Sequence, residues 1–329
     1  MTRNKGIAGA TLAGIKGGFQ KGVPYDESQL NVQNRHCLIT GANGGLGKGI
    51  AIRMATLGAN ITMGGRTLDT MARNDIIAVS GNPAVSMETL DLASFQSVLE
   101  FCHRMKSNGT TFDIVILSAA TMTREGRATR DGLDMMTQVN FLSNVLLIET
   151  LLESGVIPNA TEGGGLSPIA VPRIVVVSSE AHRWSESIDI DALHQPRSFK
   201  MKDAMKVYAD TKFMMAAYTA HLAGRLQNEN GPMVAVHAHC PGAVNSNLAR
   251  EAPAFLKPLL KGIFFLFFAT PRKASRPAVH LACAPSLAGQ SGLYYHMMKE
   301  KQFDPRALNS DFQKQLLDKV LQILSPWSI

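Results

Sequence analysis

The run Cys37-Leu38-Ile39-Thr40, followed by Gly41-Ala42-Asn43-Gly44-Gly45-Leu46-Gly47 and then Lys48-Gly49-Ile50-Ala51-Ile52-Arg53-Met54-Ala55, restricts the fold more than any other stretch of the chain. An apolar strand, a glycine-rich turn and an apolar helix in that order form the opening unit of a doubly wound α/β sheet. Glycines at 41, 45 and 47 let the backbone turn tightly and approach a pyrophosphate. The unpaired N–H groups at the helix start attract its charge. Asn43 and Leu46 lie in the same turn and join Gly41, Gly45 and Gly47 as candidate contacts to a dinucleotide.

The rest of the chain continues this alternation. Apolar, β-rich runs near residues 36–40, 60–63, 84–90, 113–118, 172–178 and 233–239 alternate with helix-like stretches near 48–57, 68–78, 94–106, 132–153, 201–227 and 272–284. Strand–helix alternation of this kind predicts a Rossmann-type sandwich, a mainly parallel central sheet covered on both faces. With 329 residues and 45% apolar content, one large α/β domain over 31–329 accounts for the chain. Residues 1–30 precede it as a basic extension, and the glycine- and proline-rich stretch 158–168 is expected to be an exposed loop.

Chemistry enters at Tyr208-Ala209-Asp210-Thr211-Lys212. A tyrosine and a lysine four positions apart on a helix share a face, so the ammonium can support the phenolate. A free phenol, with a pKa of about 10, is a poor acid–base catalyst near neutrality, and a fixed cation is expected to lower it toward the working range. Tyr208 is thus the candidate proton donor.

The pattern T-G-x-x-x-G-x-G from Thr40, Asn140 in mid-chain, the strand end Val177-Ser178-Ser179, Y-x-x-x-K at 208–212 and Pro241-Gly242 together resemble the short-chain dehydrogenase/reductase family, from about Arg35 to the C-terminus. Ser178-Ser179-Glu180-Ala181-His182, with its long gap to Tyr208, is similar to the retinol dehydrogenase-like branch. The resemblance implies a catalytic set of Asn140, Ser179, Tyr208 and Lys212. Ser179 would hold the substrate oxygen and stabilise developing charge. Asn140 would hold a water that links the lysine to solvent. Lys212 would also bind the nicotinamide ribose, Pro241 and Gly242 would form the loop beside the nicotinamide, and Asp91 would lie near the adenine ring. A helical segment at about 250–285 would cover the substrate.

Cofactor choice is read after the second strand, Ile61-Thr62-Met63-Gly64-Gly65-Arg66. An acidic residue there would bind the adenosine ribose 2′-hydroxyl of NAD, whereas Arg66 can pair with a 2′-phosphate. NADP is therefore expected, with NAD as the alternative. The sequence departs from the family at Ser118-Ala119-Ala120, which replaces the usual Asn-Asn-Ala-Gly after the fourth strand. Support for the central sheet and cofactor must then come from Ser118 and Ala119, through a side chain or the backbone.

Charge and cysteine usage narrow the remaining classes. The net charge of +7 is concentrated in Arg3, Lys5, Lys16 and Lys21 and in the cations of 250–276, so the rest of the chain is slightly acidic and no nucleic-acid groove is expected. Basic charge around Ile263-Phe264-Phe265-Leu266-Phe267-Phe268 suggests a peripheral membrane contact through 254–270, or else a pocket-lining helix. Four scattered cysteines and nine unpatterned histidines predict neither a disulfide framework nor a metal site. The expected location is a reducing intracellular compartment, cytoplasmic or peripheral to an organelle membrane. The acid-free N-terminus reads equally as a mitochondrial transit peptide, an interfacial anchor or a disordered arm. Oligomeric state is not legible.

These readings lead to an NADP-dependent oxidoreductase that moves hydride between nicotinamide and a small lipophilic alcohol or carbonyl, of retinoid, sterol or fatty-aldehyde type. The alternative is a regulatory or scaffold protein that keeps the cofactor site and has lost turnover. The Ser118-Ala119-Ala120 segment is the feature that leans toward it.

Overall fold

In the computed structural model, the described residues are 22–30, 32–159, 171–201, 203–242 and 270–327. The sequence-predicted strands and helices fall within a few residues of their expected places. The strands are β1 (His36–Thr40), β2 (Asn60–Gly65), β3 (Val85–Thr89), β4 (Ile114–Leu117), β5 (Arg173–Val177), β6 (Ala235–Cys240), β7 (Tyr294–His296) and β8 (Lys299–Lys301). They form one sheet in the order β8-β7-β6-β5-β4-β1-β2-β3. All neighbours pair in parallel except β7 and β8, which close the edge as an antiparallel hairpin that the sequence reading did not foresee.

The strand order reverses between β1 and β4, which opens a crevice at the carboxyl ends of the strands. That crevice positions everything functional described below.

Helices cover both faces. On one side lie α1 (Gly45–Thr56), α2 (Thr70–Ser80), α6 (Pro271–Ala274) and α7 (Arg276–Cys283), packed on Ile39, Ile61, Ile116 and Val175. On the other lie α3 (Phe95–Ser107), α4 (Met135–Glu153), α5 (Ala204–Arg225) and α8 (Ser310–Leu324), packed on Leu38, Val115, Ile174 and Val236. Successive strand residues alternate between the two cores, as a pleated sheet buried on both faces requires. The α4 helix is long and apolar enough to cross a bilayer, yet 78% of that stretch is buried against α3 and α5, so it is a core helix.

Residues 22–30 pack on the domain. The Val23 N–H donates to the Met298 carbonyl at 2.6 Å, and the Tyr25 ring lies between the Arg53 and Arg276 guanidinium groups. Residues 1–21, residues 160–170, which hold most of the expected exposed loop, and residues 243–269, which hold most of the expected substrate cover and membrane contact, lie outside the described residues.

Candidate active site

The turn after β1 is built for close backbone approach. Gly41 sits at φ +71°, and a Cβ there would lie 2.9 Å from the Ala119 Cα. At Gly47 a Cβ would meet the Gly41 carbonyl oxygen at 2.3 Å. Both contacts are to backbone, so any larger residue at either position forces the turn itself to shift. Gly44 caps α1 without a side-chain hydrogen bond, which leaves the helix-start N–H groups facing the crevice for an anion. Leu46 is buried under this turn, while Asn43 reaches across it. Its Nδ2 donates to the Thr67 carbonyl at 3.3 Å and so ties the glycine turn to the chain leaving β2. Arg66 stands exposed at that point.

The departure at Ser118-Ala119-Ala120 has a structural answer. The N–H groups of Ser118 and Ala119 both donate to the Thr40 hydroxyl oxygen at 3.1 Å, joining the ends of β1 and β4. A threonine on β1 and two backbone donors thus join these strand ends with no side chain from Ser118 or Ala119 involved. Thr40 is buried, and the sequence reading treated it only as the start of a motif.

The catalytic set converges across the neighbouring strand ends. Ser179 follows β5, and its hydroxyl caps the short helix Glu180–Trp184 by accepting from the Ala181 N–H at 3.2 Å. The same hydroxyl lies close enough to the Tyr208 phenol to favour its ionised form. On α5, Lys212 reaches from one turn below: its Nζ lies 5.7 Å from the centre of the Tyr208 ring and donates to the Val177 carbonyl at 2.9 Å. Tyr208, Ser179 and Lys212 therefore form one cluster at the ends of β5 and β6.

Asn140 joins this cluster through the backbone. It lies in a π-helical turn, Gln138–Leu142, within α4, a distortion that frequently marks functional sites. Its amide acts as a clamp: Oδ1 accepts from the Thr121 N–H at 2.7 Å, and Nδ2 donates to the Thr121 carbonyl at 2.9 Å and to Thr211 Oγ1 at 3.2 Å. Thr211 Oγ1 in turn donates to the Tyr208 carbonyl at 2.8 Å. Asn140 thus fixes the post-β4 loop against the catalytic helix.

One expectation is reversed. The Tyr208 phenol is pushed well above its ordinary range, not below it. Burial is the main cause, the field of Cys240 adds to it, and the Ser179 hydroxyl only partly opposes it. Burial also pulls Lys212 down, to about 8. The lysine ammonium points at the Val177 carbonyl rather than at the phenol oxygen, so in this arrangement desolvation outweighs the support expected from the helix spacing. The result is a firmly protonated phenol beside a readily titrated lysine.

Two residues missed in the sequence complete the surroundings. Cys240 accepts at Sγ from the N–H groups of Glu180, at 3.3 Å, and Gly242, at 3.4 Å. Pro241 and Gly242 are thereby held beside the serine loop. Asp210, inside the Tyr/Lys pentad, is buried and accepts from Ser185 Oγ at 2.7 Å and Arg197 at 3.0 Å, anchoring the loop after Ser179 to α5. A charged residue at an otherwise buried helical position was the available signal. Asp91 lies apart, half-buried at the end of β3, with Oδ1 accepting from the Ala93 N–H at 3.0 Å. Among the described residues, no group of histidines, cysteines and carboxylates could hold a metal.

Known proteins resemble this chain in sequence and in fold. Residues 35–184 match the family model described as short chain dehydrogenase. Mouse retinol dehydrogenase 13 is 32% identical over 295 residues, covering 88% of this chain and 83% of that protein. Human polyprenol dehydrogenase is 28% identical over 289 residues, covering 87% and 84%. A Mycobacterium paratuberculosis protein of known crystal structure shares the fold at a TM-score of 0.66 and 20% identity, over 92% of this chain and 98% of that one. With its glycine turn, its Ser179–Tyr208–Lys212 cluster and these relatives, the chain belongs to the short-chain dehydrogenase/reductase family, in the retinol dehydrogenase-like branch, and is an NAD(P)-dependent oxidoreductase acting on CH–OH or C=O groups.

Proposed function

We propose that the protein uses NADP to interconvert a lipophilic alcohol and its carbonyl, of the retinoid or long isoprenoid kind. The observation that carries the chemical part is the Ser179–Tyr208–Lys212 cluster at the crevice. The glycine turn and uncapped start of α1 fit the pyrophosphate, Arg66 fits a 2′-phosphate, and Lys212 with Pro241 and Gly242 fit the nicotinamide half. Relatives named for retinol and polyprenol support a lipophilic substrate.

When bound, the nicotinamide supplies or accepts the hydride. Ser179 donates a hydrogen bond to the carbonyl oxygen, and Tyr208 delivers its proton there as negative charge develops. Burial keeps the proton on the phenol before hydride transfer, and the alkoxide that then develops on the substrate, a stronger base than the phenolate, draws it off. The phenolate left behind is supported by the Lys212 ammonium, 5.7 Å from the ring centre, and is reprotonated from solvent past the π turn that contains Asn140. Because the Asn140 amide is occupied by Thr121 and Thr211, its part in that relay is to hold the loop and helix that shape the path.

A panel of retinal, long-chain and short aldehydes with NADPH and NADH, followed at the nicotinamide absorbance, tests the reading. Turnover should be greatest for the lipophilic aldehydes with NADPH. A preference for NADH, or for small polar carbonyls, would overturn it. Peripheral membrane association through 254–270 belongs to the same proposal. Salt-sensitive co-sedimentation with anionic liposomes, lost when Phe264 and Phe267 are replaced by serine, checks it.

A further inference from the structure

Directly after Ser179 stands Glu180, a carboxylate with 15% of its side chain exposed and no part in the proton chemistry described above. The C-terminal hairpin closes over it. The Tyr294 hydroxyl donates to Oε1 at 2.6 Å, Lys301 Nζ donates to Oε2 at 3.1 Å, and His296 Nδ1 lies 3.6 Å from Oε1. Arg183 approaches from the serine loop itself, with Nε 3.5 Å from Oε2. Burial pushes this carboxyl up, but the contacts from His296, Tyr294 and Lys301 outweigh it and hold Glu180 well below the usual carboxylate range. Its charge is therefore permanent.

The backbone of the same residue faces the other way. The Glu180 N–H donates to Cys240 Sγ, which also accepts from the Gly242 N–H. The Met297 N–H, at the hairpin turn, donates to the Cys240 carbonyl at 2.7 Å, and a Cβ on Gly242 would touch the Met297 side chain at 3.1 Å. One residue thus links three pieces remote in sequence: the serine loop, the nicotinamide loop and the hairpin.

We propose that Glu180 is a positioning residue for hydride transfer. Its clamped carboxylate sets the distance between Ser179, which holds the substrate oxygen, and the Pro241-Gly242 loop, which faces the nicotinamide. It touches neither substrate nor cofactor. It acts through the two loops it joins, and a small misplacement of either separates the reacting atoms. This inference rests on the oxidoreductase reading above.

The test compares wild type with Glu180→Gln, which keeps the shape and removes the charge, and with Tyr294→Phe, which removes a single donor and preserves the fold if the first variant does not. For Glu180→Gln, kcat for an aldehyde the wild type reduces should fall about tenfold or more, with KM and the NADPH Kd within about threefold. The deuterium isotope effect on kcat with 4-deuterated NADPH should rise, because the chemical step becomes more limiting. Tyr294→Phe should show the same signature at smaller size. A purely structural role would lower kcat only in proportion to the folded fraction, with an unchanged isotope effect, and that result overturns the proposal. Emission of enzyme-bound NADPH reports how firmly the ring is held and needs no substrate. Should the wild type turn over none of the aldehydes, the substrate reading fails while emission still decides Glu180: a weaker, red-shifted signal in Glu180→Gln supports the positioning role, and an identical signal removes it.

Discussion

The two halves of the crevice are built by opposite means. Around β1, α1 and β2 the cofactor half draws on residues 40–67, a continuous stretch, and works with backbone: glycines that admit no Cβ, an uncapped helix start and a threonine that ties two strand ends. The catalytic half gathers Thr121, Asn140, Ser179, Tyr208, Lys212, Cys240 and the hairpin from across the chain, and works with side chains that are buried or half-buried. Its ionisable groups are shifted in both directions. Burial brings Lys212 down to about 8, whereas contact with Cys240 and Glu180 outweighs burial and brings His296 up to about 9. A backbone site tolerates pH and fails by steric change. A site of buried charges tolerates little of either.

The largest test of that contrast is Tyr208→Phe. The ring still packs and only the acid is lost, so the rate should fall by about 10²–10⁴ while NADPH binding stays within a few-fold. Retention of more than roughly a tenth of the activity would mean that proton delivery lies elsewhere.

Next in size is pH. In the folded protein Lys212 titrates at about 8, below its value in the unfolded chain of about 10.4. Between these values the unfolded chain binds more protons, so the lysine's contribution makes stability rise with pH across about 8–10.4, by up to about 3 kcal/mol. Below pH 8 the penalty of the buried charge is fully present. Denaturant unfolding of wild type and Lys212→Met should diverge in that window and run parallel below it. In the same window the reductive kcat/KM of the wild type should fall as the ammonium loses its proton. A flat profile would show that the cation is not needed.

Arg66→Ala addresses the cofactor half alone. Loss of a charge-assisted contact of about 1.5–3 kcal/mol weakens NADPH roughly ten- to hundred-fold and leaves NADH unchanged, by titration of both. Equal losses would place the 2′-phosphate elsewhere. Gly47→Ala should be the smallest and least selective change. Its Cβ would press the Gly41 carbonyl, costing about 1–3 kcal/mol in thermal stability and weakening both cofactors alike.

Much of the cofactor half was legible because its physics is local. A glycine turn between a strand and a helix carries its own geometry, and β2 ends at Gly65 beside Arg66 as the reading expected. In the catalytic half, Ser179, Tyr208 and Lys212 were legible as residues, and they do meet. Their electrostatics were not. Helical spacing brings Lys212 beside Tyr208, but it does not reveal that the ammonium turns to the Val177 carbonyl or that the phenol is enclosed. Short strands β7 and β8 lacked the length and apolar pattern that announced the others, so the hairpin that clamps Glu180 stayed hidden.

The sequence by itself determined the first six strands with the helices between them, the glycine turn, and Ser179, Tyr208 and Lys212 as residues to look for, because each depends on neighbours within a few positions along the chain. Only the tertiary structure decided in which direction burial shifts Tyr208 and Lys212, that the Thr40 hydroxyl ties β1 to the backbone after β4, and that Glu180 links the serine loop to the Pro241-Gly242 loop and the hairpin. Those outcomes depend on desolvation and on hydrogen bonds between segments that are remote in sequence, and neither is fixed until the sheet has assembled.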